Sequence, residues 1–371
     1  MIERVLVCLY LAGCILIGIV VSRRVLTNQD EYWVAGRSIG PGVNAMAIMA
    51  ALASGGSILG VMGYAYKAGI PATLALFAGA VVGFPLASIL VARPLRRFGK
   101  FTITDFLSWR FPHPVIRIGV PILIVVSFTM YIVAQMKAAG ITAEVLLGIP
   151  YETALTMSTV VFVLYVSVGG MLAVTWTDVV QGTLMVAVVL GTALLLITRN
   201  GSPPEIFTSA MEVAPALGAA GQRDLASDLG AFVIWAAAIP VIPHVVMRVY
   251  TAKDAQGARL SLNLAMVVYT IVILAAVLIV VPMGKPLFPA LSDNDQIFLK
   301  IMETQFSPVV RGLAVAAVLA AVMSTTDALL LACSSAIAHD LVGHVWGKKL
   351  EQRTIARINI LVVWVVGVVA M

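Results

Sequence analysis

Ala53-Ser54-Gly55-Gly56-Ser57 lies in the middle of an apolar run, residues 44–66. A bilayer span needs about 20 such residues. A spanning helix keeps its backbone hydrogen bonds within itself, because lipid offers none. Two adjacent glycines between serines weaken that ladder, since glycine loses the most conformational freedom on ordering. Two readings follow. Either small residues let a neighbouring helix approach closely, or the helix opens here and lines a covered or watery cavity.

Outward from this run the pattern repeats. Further apolar runs cover 4–22, 71–92, 118–136, 153–168, 174–198, 230–247, 262–282, 308–338 and 355–371. The last is cut off at Met371. The 371 residues are 61% apolar and 11% charged, whereas a soluble domain carries about 25% charged residues. Disorder is excluded by the same composition. Cys8, Cys14 and Cys333 all sit in apolar runs, which excludes a disulfide scaffold. The first run is not a signal peptide, because Arg23 and Arg24 follow its apolar core. The expectation is an all-α polytopic membrane protein, with residues 1–371 forming one transmembrane domain.

A net charge of +6 raises the question of nucleic acid. The basic residues instead lie in short loops between spans, so no nucleic-acid partner is expected. One set of alternate loops holds Arg23, Arg24, Arg37, Arg93, Arg96, Arg97, Lys100, Arg110, Arg117, Arg248, Lys253, Arg259, Lys348, Lys349, Arg353 and Arg357, most of the 24 Lys and Arg. Positive loops stay cytoplasmic. The N-terminus is therefore expected outside a plasma (inner) membrane, bacterial in origin, with 199–229 and 284–307 as longer external loops.

The run 230–247 also carries a possible break, at Pro240 and Pro243. Each proline lacks an N–H and obstructs the carbonyl four residues back. With the run 4–22 set aside as peripheral, the two interrupted runs open two five-helix repeats. Paired interruptions at corresponding positions point to a transporter's binding site. Two acids stand out as well. Asp178 begins the run 174–198 and Asp327 lies well inside 308–338. An acid at membrane depth costs at least about 2.5 kcal/mol, which makes both functional candidates. Ala321, Ser324 and Thr325 share a helix face. Their oxygens suit a hard cation, although hydroxyls also bond back to their own helix.

Several motifs in register resemble one family, the solute:sodium symporters. They are Gly36-Arg37-Ser38-Ile39-Gly40-Pro41, the stretch from Gly169 to Asp178, Ile242-Pro243-His244, Ala320-Ala321-Val322-Met323-Ser324-Thr325, and Cys333-Ser334-Ser335-Ala336-Ile337. The resemblance runs from about residue 10 to the end. It implies a five-plus-five inverted-repeat core preceded by one extra helix, here truncated in the second repeat. It also implies import of a small organic solute coupled to sodium, by alternating access. The sodium ligands it implies are Ala50, Ala53, Ala321, Ser324 and Thr325, the alanines through their carbonyls. A second cation or a proton is implied at Asp178 and Asp327, since two acids in one site repel unless a positive charge lies between them. Substrate positions carried over from relatives are Ser54, Gly55, Gly56, Tyr131, Trp235 and Pro243. On residue type alone, Tyr131 and Trp235 equally suit core or interface aromatics. Half-helix N-termini favour a carboxylate, and segments near residues 148–153 and 243–255 look like pantothenate and acetate-type symporters.

Other readings remain open. Some membrane histidine kinases carry such a domain as a sensor, and a chain ending inside the ninth core helix also fits an inactive fragment. Nothing points to an enzyme. There is no nucleophile–base constellation, and His113, His244, His339 and His344 show no metal-site spacing.

Overall fold

The computed structural model describes residues 2–25, 29–219, 224–345 and 352–371. Lys348 and Lys349, and the side chains of Arg23, Arg24 and Arg353, lie outside the described residues.

Among the described residues the chain is helical throughout its core. Helix α1 is Ile2–Val25. The glycine-containing run forms α2, Pro41–Leu52, and α3, Gly56–Ala68, bent by 66° at the break. Then come α4 (Ile70–Phe98), the short connector α5 (Ile103–Arg110) and α6 (Pro114–Leu147). Next are α7 (Tyr151–Leu164) and α8 (Gly170–Asn200). Gly170 separates them, at φ 56° and ψ −175°, a conformation open to glycine and strained for other residues. Helix α9 (Leu225–Ala238) and α10 (Pro243–Thr251) make one interrupted span. Then follow α11 (Ala255–Leu287), α12 (Pro308–Ser335) and α13 (Gln352–Ala370). Among the described residues seven helices are long and apolar enough to cross a membrane, and the bent pair makes an eighth.

Helix α12 is the centre of the bundle. Of its most apolar stretch 94% is buried, against 17% for α1. The reason lies in its small side chains. Ala314, Ala316, Ala317, Ala320 and Ala321 are all buried, and residues of that size let helices approach closely. Helices α1, α2 and α6 and the stretch Tyr151–Asn200 all pack on it.

Some boundaries differ from the hydropathic runs. Helix α6 continues past residue 136 to Leu147. Lys137 interrupts the apolar run, but Ala138, Ala139, Ile141 and Ala143 beyond it remain buried. The same run-on corrects the reading of Arg248. Counted above as a loop charge, it lies on α10 and is 1% exposed.

Candidate cation and solute site

Both broken helices expose backbone at mid-bundle, and their surroundings differ. At the first break Ala53 leaves the helical region, at φ −75° and ψ 69°. The amide of Gly55 then donates to Gln135 Oε1 of α6 at 3.0 Å. Ser57 Oγ donates to the Leu52 carbonyl at 3.1 Å. A side chain at Gly55 has no room, since its Cβ would lie 2.8 Å from both Ala138 Cβ and Val322 Cγ2. Gly55 thus lets α2, α6 and α12 meet.

Helix α12 presents its hydroxyls to the same break. Ser324 Oγ donates to the Ala50 carbonyl at 2.9 Å and to Ala321 O at 3.2 Å. Thr325 Oγ1 donates to the Ala51 carbonyl at 3.0 Å. All these residues are buried. The structure brings Ala50, Ala321, Ser324 and Thr325 together, with Ala53 closing the helix beside them. Ala51 is an addition that sequence reasoning missed. The oxygens are uncharged hydroxyls and carbonyls, the set that a hard, singly charged cation takes without a formal counter-charge.

Beyond the break, Ser54 is buried and the phenol of Tyr131 faces it. Gly56 is exposed. His244, the second residue of α10, stacks near Phe128 and Tyr131, with ring centroids 5.5 and 6.4 Å apart. Ser54, Gly55, Gly56, Tyr131 and the start of α10 at Pro243 are therefore neighbours. Trp235, half-buried on α9, takes part in none of these contacts. The Nε2 of Gln135 is buried without a hydrogen-bond partner. Gln135 was missed as a site residue, although a polar amide inside an apolar run and the likeness of Ala134-Gln135-Met136 to acetate-type symporters both marked it.

The two acids lie deep in the protein, both fully buried. Asp178 pairs with Arg248 Nη2, and Arg248 Nη1 donates to Thr175 Oγ1 at 2.7 Å. Asp178 thus has a cation supplied by the chain. The Arg248 carbonyl accepts from Asn44 Nδ2 at 2.9 Å, which joins α10 to α2. Gln181, one turn beyond Asp178, lies with its Nε2 3.9 Å from Cys14 Sγ of α1, so the extra helix borders this region.

Both broken helices are also tied together at the basic end of the molecule. Ile39 pairs with Ala252 in a parallel bridge, through Ile39 N to Thr251 O and Lys253 N to Ile39 O, each 3.2 Å. Arg96 Nε donates to Ala252 O at 2.6 Å. At the other end the contacts are more exposed. Lys137 lies 4.0 Å from Asp295, and both side chains are more than a third exposed. Burial and the neighbouring Asp293 raise the Asp295 carboxyl above its ordinary range, against a lowering by Lys137.

Comparisons agree with this architecture. A family model described as "Sodium:solute symporter family" matches residues 32–371. The Sodium/proline symporter of Escherichia coli is 31% identical over 98% of this chain and 75% of its own length. The Osmoregulated proline transporter OpuE of Bacillus subtilis is 29% identical with the same coverage. A solved Na+-coupled sialic acid symporter, in a substrate-bound outward-open state, superposes with a TM-score of 0.83 at 18% identity, covering 100% of this chain and 79% of that one. At that identity the likeness concerns the fold.

Proposed function

Because the chain belongs to the sodium:solute symporter family, we propose that this multi-pass membrane protein imports a small carboxylate-bearing solute together with sodium, by alternating access. The observation that carries the reading is the meeting of Ser324 and Thr325 with the carbonyls of Ala50 and Ala51 at the break of α2. Sodium is a cargo there, held by Ala50, Ala53, Ala321, Ser324 and Thr325. The solute lies against Ser54, Gly55, Gly56, Tyr131 and Pro243, with Trp235 at the margin. Among monocarboxylates, pantothenate-like acids and amino acids, the proline transporters among its relatives favour an amino acid.

Asp178 and Asp327 form a second cation or proton site. Arg248 already pairs with Asp178, so a further cation or proton there would be shared with the buried carboxyl of Asp327. The molecule sits in a bacterial inner membrane with its N-terminus outside and its basic end inside.

The test is uptake into proteoliposomes under an imposed inward sodium gradient, with labelled proline, acetate and pantothenate supplied in turn. Accumulation of one of them that collapses with the gradient is expected. Solute binding without sodium-driven accumulation would instead favour a sensor. Neither binding nor uptake of any of the three would overturn the carboxylate reading.

A further inference from the structure

At the basic end, the connector α5 meets the continuation of α12 through a side-chain cluster, beside which Tyr250 of α10 donates to the Thr102 carbonyl at 3.2 Å. His339 Nε2 lies 3.1 Å from Asp105 Oδ2. Asp340, the next residue, is 2% exposed, and its Oδ1 accepts from Thr102 Oγ1 at 2.8 Å. One donor atom from each of Asp105, His339 and Asp340 can be chosen so that all three lie within 4.8 Å of one another. Asp340 Oδ2 is buried and makes no well-formed hydrogen bond, with the Thr104 hydroxyl its neighbour. A buried carboxylate oxygen is costly unless something pairs with it. A cavity of about 330 Å³, lined by both Asp105 and Asp340, opens beside the cluster.

We propose that Asp105, His339 and Asp340 form a binding site for a divalent transition metal of the zinc class, with a water from the adjoining cavity as fourth ligand. The donor set fits that class. Zinc takes imidazole nitrogen and carboxylate oxygen at about 2.0–2.2 Å, which sets tetrahedral donors about 3.4 Å apart. The His339–Asp105 separation already has that scale, and the whole set lies within 4.8 Å, so Asp340 closes the remainder on binding. Calcium and magnesium fit less well, because they want oxygen ligands throughout and more of them. Lys100 and Arg117 line the same cavity. The field there is therefore not strongly negative, and direct bonds to the donors must hold the ion. Bound metal would staple the connector between α4 and α6 to the end of the central helix.

The competing occupant is a proton shared by His339 and Asp105, and metal and proton exclude each other at Nε2. The full chain in lipid nanodiscs, stripped by chelator, would be titrated calorimetrically with zinc, with magnesium as the control. One zinc per chain is expected, with Kd about 10 μM or tighter, and no magnesium response. Zinc-edge X-ray absorption should show one imidazole among oxygen ligands and no sulfur. His339→Ala and Asp340→Asn should each weaken binding at least about tenfold. The proposal is overturned by Kd above about 1 mM in the unaltered chain, by a sulfur shell, or by unchanged binding in a folded His339→Ala protein. Should the variants fail to fold, the absorption spectrum of the unaltered chain decides alone. None of these readouts needs transport, so this inference and the symport reading stand or fall separately.

Discussion

The two broken helices meet the same difficulty with different partners. At the second break the turn satisfies itself, since the amides of Val241 and Ile242 both donate to the Ala238 carbonyl at 2.9 Å. Pro243 then opens α10 at a position where a missing N–H costs little. At the first break the local bonds of Ser54 N and Ser57 Oγ to the Leu52 carbonyl are joined by partners from other helices: Gln135 from α6, and Ser324 and Thr325 from α12. A self-contained break is a hinge. A break completed by other helices is a place where those helices and a ligand can compete for the same oxygens.

That contrast can be broken experimentally, and the largest effect belongs just beyond the second break. Arg248→Gln leaves Asp178 buried without its cation, and removing one partner of a buried pair costs about 3–5 kcal/mol. Thermal unfolding should show the loss, and Arg248→Gln with Asp178→Asn should recover part of it. Gly55→Ala comes next. Overpacking against Ala138 and Val322 costs about 1–3 kcal/mol, so uptake should fall by an order of magnitude or more while the protein still reaches the membrane. Near-normal uptake would mean that α2, α6 and α12 do not meet as tightly as described.

Ser324→Ala and Thr325→Ala sharpen the comparison at the cation. Each should raise the sodium concentration for half-maximal uptake about tenfold, equivalent to ~1.4 kcal/mol. Asp178→Asn with Asp327→Asn should lower the ratio of cations to solute in a variant that still transports. An unchanged ratio would remove the second site. The smallest effect is expected at the self-satisfied turn, where Pro240→Ala should alter uptake less than about twofold, ~0.4 kcal/mol. A large loss there would show that the second break is as ligand-dependent as the first.

The interruption at residues 53–57 was legible because glycines and serines have few other uses in the middle of a span. The hydroxyl face of α12 was legible through helical periodicity. Other parts were hidden for physical reasons. Hydropathy stops at a charge, whereas a helix does not, so α6 ran on beyond Lys137 and Arg248 was misread as a loop residue. Thr325 was grouped with the carbonyls of Ala50 and Ala53, and its hydroxyl meets the carbonyl of Ala51. Carbonyl identity depends on where the backbone turns, and no side chain marks it. Asp105 and His339 are 234 positions apart, and no local spacing could pair them.

The short bridge at Ile39 has a mechanical consequence. Helices α2 and α10 are free of each other along the chain, yet at their basic ends they share backbone hydrogen bonds, reinforced by Asn44. Two half-helices that could swing independently are reduced to one degree of freedom. Any path that opens towards that end must carry them as a single lever, or first tear a seam made of main-chain atoms, which substitution of side chains alone cannot unpick.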